Sequence, residues 1–268
     1  GVMSALVLAF ILGIGISKVK DSSLLKVFEE FNSIVLMIVT NVLIPLVPIY
    51  ICCIFAKLSF SGEIFTTLKS FAIVYAVLFS LQAIYILIQY SIASVIKKEN
   101  PFKLIKNMLP AYFTAMGTQS SAATIPVTLQ CVKSNNVGEE IAEFVVPLGA
   151  TIHLAGDTIT LVITSMAVMY MNGQVPTLSQ VIPFIFMLGV TMIAAPGVPG
   201  GGVMAALGLL ETMFGFGSIE KPIMIALHAA QDSFGTATNI TGDGAIAVIV
   251  DYLINKKDNE SNVELESA

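Results

Sequence analysis

The segment DSFGTATNITGD, residues 232–243, places two aspartates and an asparagine inside an apolar stretch that covers residues 222–252. A charge in hydrocarbon costs several kcal/mol on insertion scales, so such residues usually face a cavity and have a function. The motif NITGDG predicts a break in the helix, and the backbone groups freed by a break must face protein or a watery cavity. The segment therefore predicts an interrupted membrane helix beside a polar site.

The composition outside this segment indicates an integral membrane protein. The chain is 56% hydrophobic and 12% charged, whereas soluble domains contain about 25% charged residues. All 13 cationic residues are lysines, and none lies in the long apolar stretches that hold Asp157, Asp232 and Asp243. Three acids without a local base predict a pocket for a cation, which is a metal ion, a proton or the ammonium group of a substrate. No nucleophile–base motif, metal cluster or nucleotide-binding loop indicates an enzyme.

The charges in the loops predict the orientation of the chain. Three further apolar stretches are long enough to cross a membrane: residues 1–17, 33–56 and 70–95. Lysines cluster at Lys18–Lys26 and Lys97–Lys106, and the positive-inside rule places both loops in the cytoplasm. The polar tail, residues 254–268, is predicted to be disordered and cytoplasmic. The chain opens inside an apolar run without an initiator methionine, which indicates an N-terminally truncated fragment.

The second half of the chain contains four apolar stretches that are interrupted near their middle. The interruptions are GTQSSAAT, HLAGD, APGVPGGG and NITGDG, in residues 107–132, 141–172, 178–210 and 222–252. Discontinuous helices in corresponding positions are the sequence pointer to a transporter's binding site near the middle of the bilayer. If two of the stretches are re-entrant hairpins, with tips at Ser120–Ser121 and Pro196–Gly202, the lysine-rich loop and the tail share one side.

At these interruptions the chain resembles a known family, the dicarboxylate/amino acid:cation symporters, also called the glutamate-transporter family. The resemblance rests on GTQSSAATIPVT ending at Thr128, on PGVPGGG at residues 196–202, and on DSFGTATNITGD at residues 232–243. It implies an all-α membrane fold with two re-entrant helical hairpins and broken transmembrane helices. It also implies a homotrimer whose transport domain, residues 67–253, moves substrate across the bilayer in an elevator motion. Residues 1–66 then form part of a scaffold and trimerisation domain.

The resemblance also assigns roles to individual residues. Asp232 sits where the family binds the substrate amino group, and Asn239 where it contacts the substrate and lends a carbonyl to sodium. Asp243 sits at a sodium-ligating position, since carboxylate, amide and backbone oxygens suit this hard cation. The backbone of His153 is a further candidate sodium ligand. The remaining implied substrate-binding residues come from the two tips and the last helix: Ser120, Ser121, Val198 and Thr236.

Three departures from the family pattern change the expected substrate. Gly235 stands where members with acidic substrates carry an arginine, the residue suited to bidentate carboxylate recognition. Ala155 replaces a carboxylate that ligates sodium in the family. Asp157 replaces a threonine near the substrate side chain, where it would repel an acidic substrate. With AAQDSFGTA resembling the serine/threonine branch, these departures predict a small neutral amino acid; a dicarboxylate or acidic amino acid is the alternative.

Histidines raise a second question, the identity of the coupling ion. A histidine in an apolar helix is more often a satisfied core residue, and His228 is interpreted as structural. His153 lies four residues before Asp157, on one face if the helix is continuous, although Gly156 makes continuity doubtful. A His153 imidazolium beside Asp157 could fill the space of a sodium ion, so the chain is expected to use fewer sodium ions, with a proton as the alternative coupling ion.

Two classes of function remain open from the residues. The first is a secondary active symporter of a small neutral amino acid, driven by sodium, in the plasma or inner membrane. The second is a channel on the same scaffold, in which the acids line an ion path. The paired tips and the substrate aspartate favour the symporter. No cofactor and no nucleic acid is expected; the expected partners are the amino acid, sodium, the lipid bilayer and two further copies of the chain.

Overall fold

The described part of the protein is built from α-helices. This computed structural model describes residues 2–19, 23–38, 64–195 and 199–266, together with scattered residues between 41 and 60. Within the four continuous ranges, ten helices follow in chain order: α1 Val2–Ser17, α2 Ser23–Ile38, α3 Ile64–Lys97, α4 Pro101–Thr118, α5 Ser121–Ser134, α6 Glu139–Ile152, α7 Ala155–Met171, α8 Leu178–Met192, α9 Gly201–Phe214 and α10 Glu220–Glu266. These ranges contain no strand, and the predicted all-α class is confirmed.

The first two helices expose apolar side chains. In α1 and α2 the described side chains are mostly exposed, including Ile11 and Phe31, each at more than 60%. Contiguous exposed apolar surface of this kind marks a face that contacts lipid or protein. The predicted span over residues 33–56 lies mostly outside the described residues.

Three described segments are long and apolar enough to cross a membrane. They are Phe71–Lys97, Glu139–Met171 and Glu220–Asn255. In Phe71–Lys97 only 17% of the apolar window is buried inside the protein, so most of its apolar side chains are available to lipid. At its C-terminal end Lys97 Nζ donates to the carbonyl oxygens of Asn135 and Asn136, at 2.6 and 2.7 Å. One member of the lysine cluster therefore ties α3 to the loop after α5.

Two helical hairpins form at the predicted tips. In the first, α4 ends at Thr118 and α5 begins at Ser121, with Gln119 in the left-handed region at φ 52°. In the second, α8 ends at Met192 and α9 begins at Gly201, after Gly200 at φ 73°. A positive φ favours glycine because other residues pay a steric cost there. The predicted interruptions at both tips are confirmed, while Pro196, Gly197 and Val198 lie outside the described residues.

The interruption around HLAGD is also confirmed. Helix α6 ends at Ile152, α7 begins at Ala155, and His153 and Leu154 between them have non-helical backbone angles. The backbone N–H of His153 still donates to the Gly149 carbonyl at 2.8 Å. The helical hydrogen-bond pattern is therefore interrupted over two residues, His153 and Leu154, between α6 and α7.

The interruption predicted at NITGDG is wrong, because α10 is helical through this motif. Its glycines allow close packing instead. A Cβ on Gly242 would lie 2.4 Å from His153 Cε1, and one on Gly244 would lie 2.7 Å from the Tyr90 hydroxyl oxygen. Real side chains do not approach this closely, so α3 and the α6–α7 junction can pack on α10 only where it lacks side chains.

The polar end of the chain also differs from the prediction. The stretch predicted to be disordered, residues 254–268, continues α10 as helix to Glu266. The composition is polar, but it includes lysine, glutamate and leucine, which are good helix formers. Adding residues to an existing helix avoids the cost of nucleation, and this explains why a polar tail can remain helical.

Helix α10 is the axis on which both hairpins pack. One buried cluster joins α3, α4, α5 and α6 to the later part of α10, from Ala237 to Val248. A second joins α7, α8 and α9 to its earlier part, including Met224 and Leu227. The polar residues of α10 lie between and beside these clusters, so both hairpin tips approach the same helix.

Candidate functional site

One face of α10 carries a row of buried polar side chains. His228, Asp232, Asn239 and Asp243 follow a spacing of four, seven and four residues, and each is almost fully buried. Positions three and four apart share one face of a helix, so this spacing lines them up along the axis. At 1.5 Å per residue, Asp232 and Asp243 are about 16 Å apart along the axis. The row therefore contributes side chains to two separate places along α10, the first around Asp232 and the second around Asp243.

At the first place, an imidazole lies between two carboxylates. Nε2 of His228 is 3.3 Å from Asp157 Oδ1 and 3.5 Å from Asp232 Oδ1. Asp157 comes from the first turn of α7, while the other two residues belong to α10. All three are buried, and their donor atoms lie within 4.8 Å of one another. Within the described residues, His228 is the only basic side chain in ion-pair range of either acid.

Asn239 holds Asp157 in this position. Its Nδ2 donates to Asp157 Oδ2 at 2.7 Å, and its Oδ1 accepts from the backbone N–H of Gly156 at 2.7 Å. The Gly156 N–H is one of the unsatisfied donors at the start of α7. The side chain predicted to touch substrate thus also caps α7 and orients the acid of its first turn.

The second hairpin tip contacts both acids. The backbone N–H of Gly200 donates to Asp232 Oδ2 at 2.8 Å. A Cβ on Gly202 would lie 3.2 Å from Asp157 Oδ1, so the start of α9 packs directly on that carboxylate. Gly200 and Gly202 therefore both lie beside the carboxylates.

The first hairpin tip reaches α10 one residue beyond Asp232. Nε2 of Gln119 donates to the Ser233 hydroxyl at 2.8 Å. Ser120 is the N-cap of α5, where its hydroxyl accepts from the Ala123 N–H at 3.3 Å. Ser121 is the first residue of α5 and is buried. The contact of Gln119 with Ser233 thus brings the serine-rich tip next to Asp232.

Gly235 and Thr236 lie one turn after Asp232. Thr236 is buried. A Cβ on Gly235 would lie at ordinary contact distance, 3.5 Å, from Asp157 Oδ1. The position at which members with acidic substrates are expected to carry an arginine therefore lies next to an acid.

At the second place, a histidine and an aspartate form a single short contact. Nδ1 of His153 is 2.8 Å from Asp243 Oδ1, and its Nε2 is 3.0 Å from the Tyr85 hydroxyl. Gln89 Nε2 donates to the same hydroxyl at 2.7 Å. The other carboxylate oxygen, Asp243 Oδ2, is buried without a hydrogen-bond partner among the described residues. An unsatisfied carboxylate oxygen fits a hard cation such as sodium.

The histidine pairing predicted from the sequence is therefore wrong. His153 contacts Asp243 rather than Asp157, and Asp157 contacts His228. The reason is the interruption at His153 and Leu154, which removes the helical face that a spacing of four residues would share. The interpretation of His153 as a hydrogen-bonded interior residue agrees with its contacts to Asp243 and Tyr85.

Two side chains next to the acids are not predicted from the sequence pattern. His228, for which the sequence predicts a structural role, lies four residues before Asp232 and so on the same helical face. The other is Gln82 of α3. Its Nε2 lies 3.3 Å from Thr160 Oγ1 and 3.4 Å from Gln231 Oε1. A polar residue in the charge-free stretch 70–95 is the signal that would have pointed to it.

Asp251 is a further buried acid of α10. Its Oδ1 accepts from the backbone N–H of Gly138 at 2.8 Å, at the start of α6. This contact satisfies a donor at a helix N-terminus. Its partner is backbone, so this acid has a structural role outside the site.

Comparison with known proteins shows the family to which the chain belongs. A family model described as the sodium:dicarboxylate symporter family matches residues 1–253. Human neutral amino acid transporter A is 29% identical over 172 residues, which cover 64% of this chain and 32% of the relative. Human excitatory amino acid transporter 1 is 30% identical over 171 residues, or 63% of this chain and 31% of the relative. The matched part thus spans about a third of the length of these relatives.

Proposed function

Because the chain belongs to the sodium:dicarboxylate symporter family, we propose that it is a sodium-driven symporter of small neutral amino acids. The observation that carries this proposal is the pair of buried carboxylates, Asp157 and Asp232, beside a glycine, Gly235, at the position where a carboxylate-binding arginine would stand. Asp232 binds the substrate ammonium group. No arginine exists in the chain to clamp a second carboxylate, and Asp157 repels one.

The proposal assigns the coupling ion to the other end of the row. Asp243 Oδ2 ligates sodium, with oxygen atoms of the α6–α7 junction and of Asn239 as further candidate ligands. Its buried, unpartnered state supports this assignment, because a buried carboxylate oxygen is costly unless something pairs with it. The contact between His153 and Asp243 leaves this one oxygen for an ion, in line with a smaller number of sodium ions.

The two hairpins supply access to the site. We assign residues 67–253 to a transport domain and residues 1–66 to part of a scaffold, in a homotrimer that works by an elevator motion. The exposed apolar surfaces of α1 and α2 support a location against lipid or against other scaffold helices. The protein is placed in the plasma or inner membrane, with the lysine-rich loop and the C-terminus in the cytoplasm.

Uptake by the full-length protein in proteoliposomes tests the proposal. Radiolabelled serine, threonine and alanine are expected to accumulate only with an inward sodium gradient. Passive equilibration without a gradient would indicate a channel-like path instead, and accumulation of none of the three would refute the substrate assignment.

A dicarboxylate substrate is the second candidate, and the description of the family favours it. The same liposomes decide between the two candidates when succinate and aspartate are added as competitors. Neutral transport predicts weak competition, because both competitors bring a carboxylate toward Asp157.

A further inference from the structure

The two carboxylates beside His228 are each held by one oxygen and turn the other toward the imidazole. Asp157 Oδ2 accepts from Asn239 Nδ2 at 2.7 Å, and Asp232 Oδ2 accepts from the Gly200 N–H at 2.8 Å. The remaining oxygens, Asp157 Oδ1 and Asp232 Oδ1, lie 3.3 and 3.5 Å from His228 Nε2. Neutral donors therefore fix both carboxylates, and two oxygens and one nitrogen are left within 4.8 Å of one another.

The imidazole nitrogen at this point is buried without a hydrogen-bond partner. His228 is 0% exposed. The two carboxylate oxygens lie within ion-pair distance of its Nε2, but neither makes a hydrogen bond to it. Most buried polar groups in native proteins are paired. An unpartnered nitrogen that points at two carboxylates therefore indicates that a further group binds among them.

The spacing of the three atoms matches the ligands of a small metal ion. Zinc binds histidine nitrogen and carboxylate oxygen at about 2.0–2.2 Å, so two of its ligands in tetrahedral arrangement are about 3.3–3.6 Å apart. The two distances from His228 Nε2, 3.3 and 3.5 Å, lie in this range. Three protein ligands leave a fourth position for water, which is the arrangement of open zinc sites.

The charge and the chemistry of the donors favour a divalent transition metal over other cations. Two carboxylates with one neutral imidazole carry two negative charges, which a divalent ion balances and a single ammonium group does not. Buried charges need such compensation. Sodium, magnesium and calcium prefer oxygen ligands, whereas an imidazole nitrogen suits zinc and related transition metals.

We propose that Asp157 Oδ1, His228 Nε2 and Asp232 Oδ1 form a binding site for a divalent transition-metal ion of the zinc class, and that this ion competes with the amino acid for Asp232. The site is separate from Asp243, which lies about 16 Å away along α10. Metal binding does not depend on the proposed function. The competition rests on it, because there the substrate ammonium group binds Asp232.

A zinc titration of the purified full-length protein, followed by calorimetry after treatment with a chelator, tests the site. Cys52 and Cys53 are exposed thiols and thiolates are themselves zinc ligands, so both are replaced by serine in every protein compared. This starting protein is expected to bind one zinc ion in the micromolar range or more tightly. Cobalt(II) in the same site is expected to give the intense visible absorption of a four-coordinate ion, since the spectrum reports the coordination geometry.

Two variants each remove one ligand. His228→Gln removes the nitrogen, and Asp157→Asn removes the charge of one carboxylate while keeping its shape. Each is expected to lower zinc affinity at least about a hundredfold, because even changes in outer-shell partners typically cost 10- to 100-fold. Asp251→Asn is the matched control. It alters a buried acid of α10 whose partner is the Gly138 backbone, so zinc affinity is expected to stay within about twofold.

The absence of zinc binding would overturn the metal site and leave neutral transport standing. Binding that keeps its affinity in both His228→Gln and Asp157→Asn would do the same, because the ion would then lie elsewhere. If one of these variants does not fold, the other variant and the cobalt spectrum still decide the matter.

A serine titration tests the competition. Metal buffers fix the concentration of free zinc, because amino acids chelate zinc in solution. In the presence of sodium, serine is expected to raise the apparent dissociation constant for zinc in proportion to its concentration. Zinc binding that is lost in His228→Gln but is indifferent to serine would keep the metal site. It would overturn the competition and refute the placement of the substrate ammonium group at Asp232.

Discussion

The two histidines of the chain contact aspartates at the two ends of the polar row on α10, and the contacts differ. His153 uses both ring nitrogens, at 2.8 Å from Asp243 and 3.0 Å from the Tyr85 hydroxyl. His228 lies 3.3 and 3.5 Å from two carboxylates, and neither ring nitrogen has a hydrogen-bond partner among the described residues. In the pair of His153 and Asp243 only the Asp243 Oδ2 atom lacks a hydrogen-bond partner, whereas in the cluster of Asp157, His228 and Asp232 both ring nitrogens of His228 lack one.

Under the proposed function, this difference separates a fixed contact from a ligand site. A buried polar network gains stability only when its members are satisfied, and partly satisfied networks are expensive. The cluster of Asp157, His228 and Asp232 is therefore the place where a ligand can supply the missing partners. The pair of His153 and Asp243 can accept only an ion at Asp243 Oδ2.

The largest effect is expected from a substitution in the cluster of Asp157, His228 and Asp232. Asp232→Asn should abolish measurable binding of neutral amino acids, because a buried ammonium group loses its charged partner. Truncating one member of such a pair costs about 2–5 kcal/mol, enough to move a micromolar site toward millimolar affinity. Substrate-induced thermal stabilisation of the purified protein measures it.

Asp251→Asn is the control for this change. It alters another buried acid of the same helix, whose partner is the Gly138 backbone, and it should lower stability while leaving substrate affinity intact. Wild-type affinity in Asp232→Asn would remove this residue from the site.

The next effect concerns the charge of the substrate. Aspartate, glutamate and succinate should compete with serine at least about a hundredfold more weakly than threonine does, since a carboxylate near Asp157 experiences poorly screened repulsion. Competition curves in proteoliposomes provide the measurement. In Asp157→Asn the disadvantage of aspartate should shrink; tight aspartate binding by the wild type would contradict this view of the cluster.

A smaller effect is expected at the pair of His153 and Asp243. Asp243→Asn should raise the sodium concentration needed for half-maximal uptake by about tenfold, while substrate affinity at saturating sodium changes less. Coupling between two ligands is reciprocal and typically amounts to 1–3 kcal/mol. Sodium titrations at several serine concentrations separate the two quantities. Uptake that keeps its original sodium dependence would exclude Asp243 as a ligand.

The smallest effect distinguishes the two histidines directly. His228→Gln should change substrate affinity roughly five- to tenfold with little change in sodium dependence. His153→Gln should change the sodium dependence with little change in substrate affinity. Each variant serves as the control for the other, because the chain has only these two histidines. If both variants changed the same parameter, the two ends of the row would form a single site.

Much of the architecture could be predicted from local sequence. The interruptions at Gln119–Ser120, His153–Leu154 and before Gly201 coincide with polar or Gly/Pro-rich motifs, which disfavour helix wherever they occur. NITGDG carries the same local signal but is helical. There the glycines meet His153 and Tyr90, and the packing that they permit outweighs their low helix propensity.

The membrane character, the two hairpin tips and the row of acids on the last helix follow from the amino-acid sequence, since they depend on composition and on the helical repeat. Which groups face each other depends on the tertiary structure: Asp157 lies beside His228, Asp243 beside His153, and Gln231 beside Gln82. These pairings join α10 to α3, to α7 and to the α6–α7 junction. Contacts between distant segments depend on how the helices pack, and the spacing of residues along one helix does not contain that information.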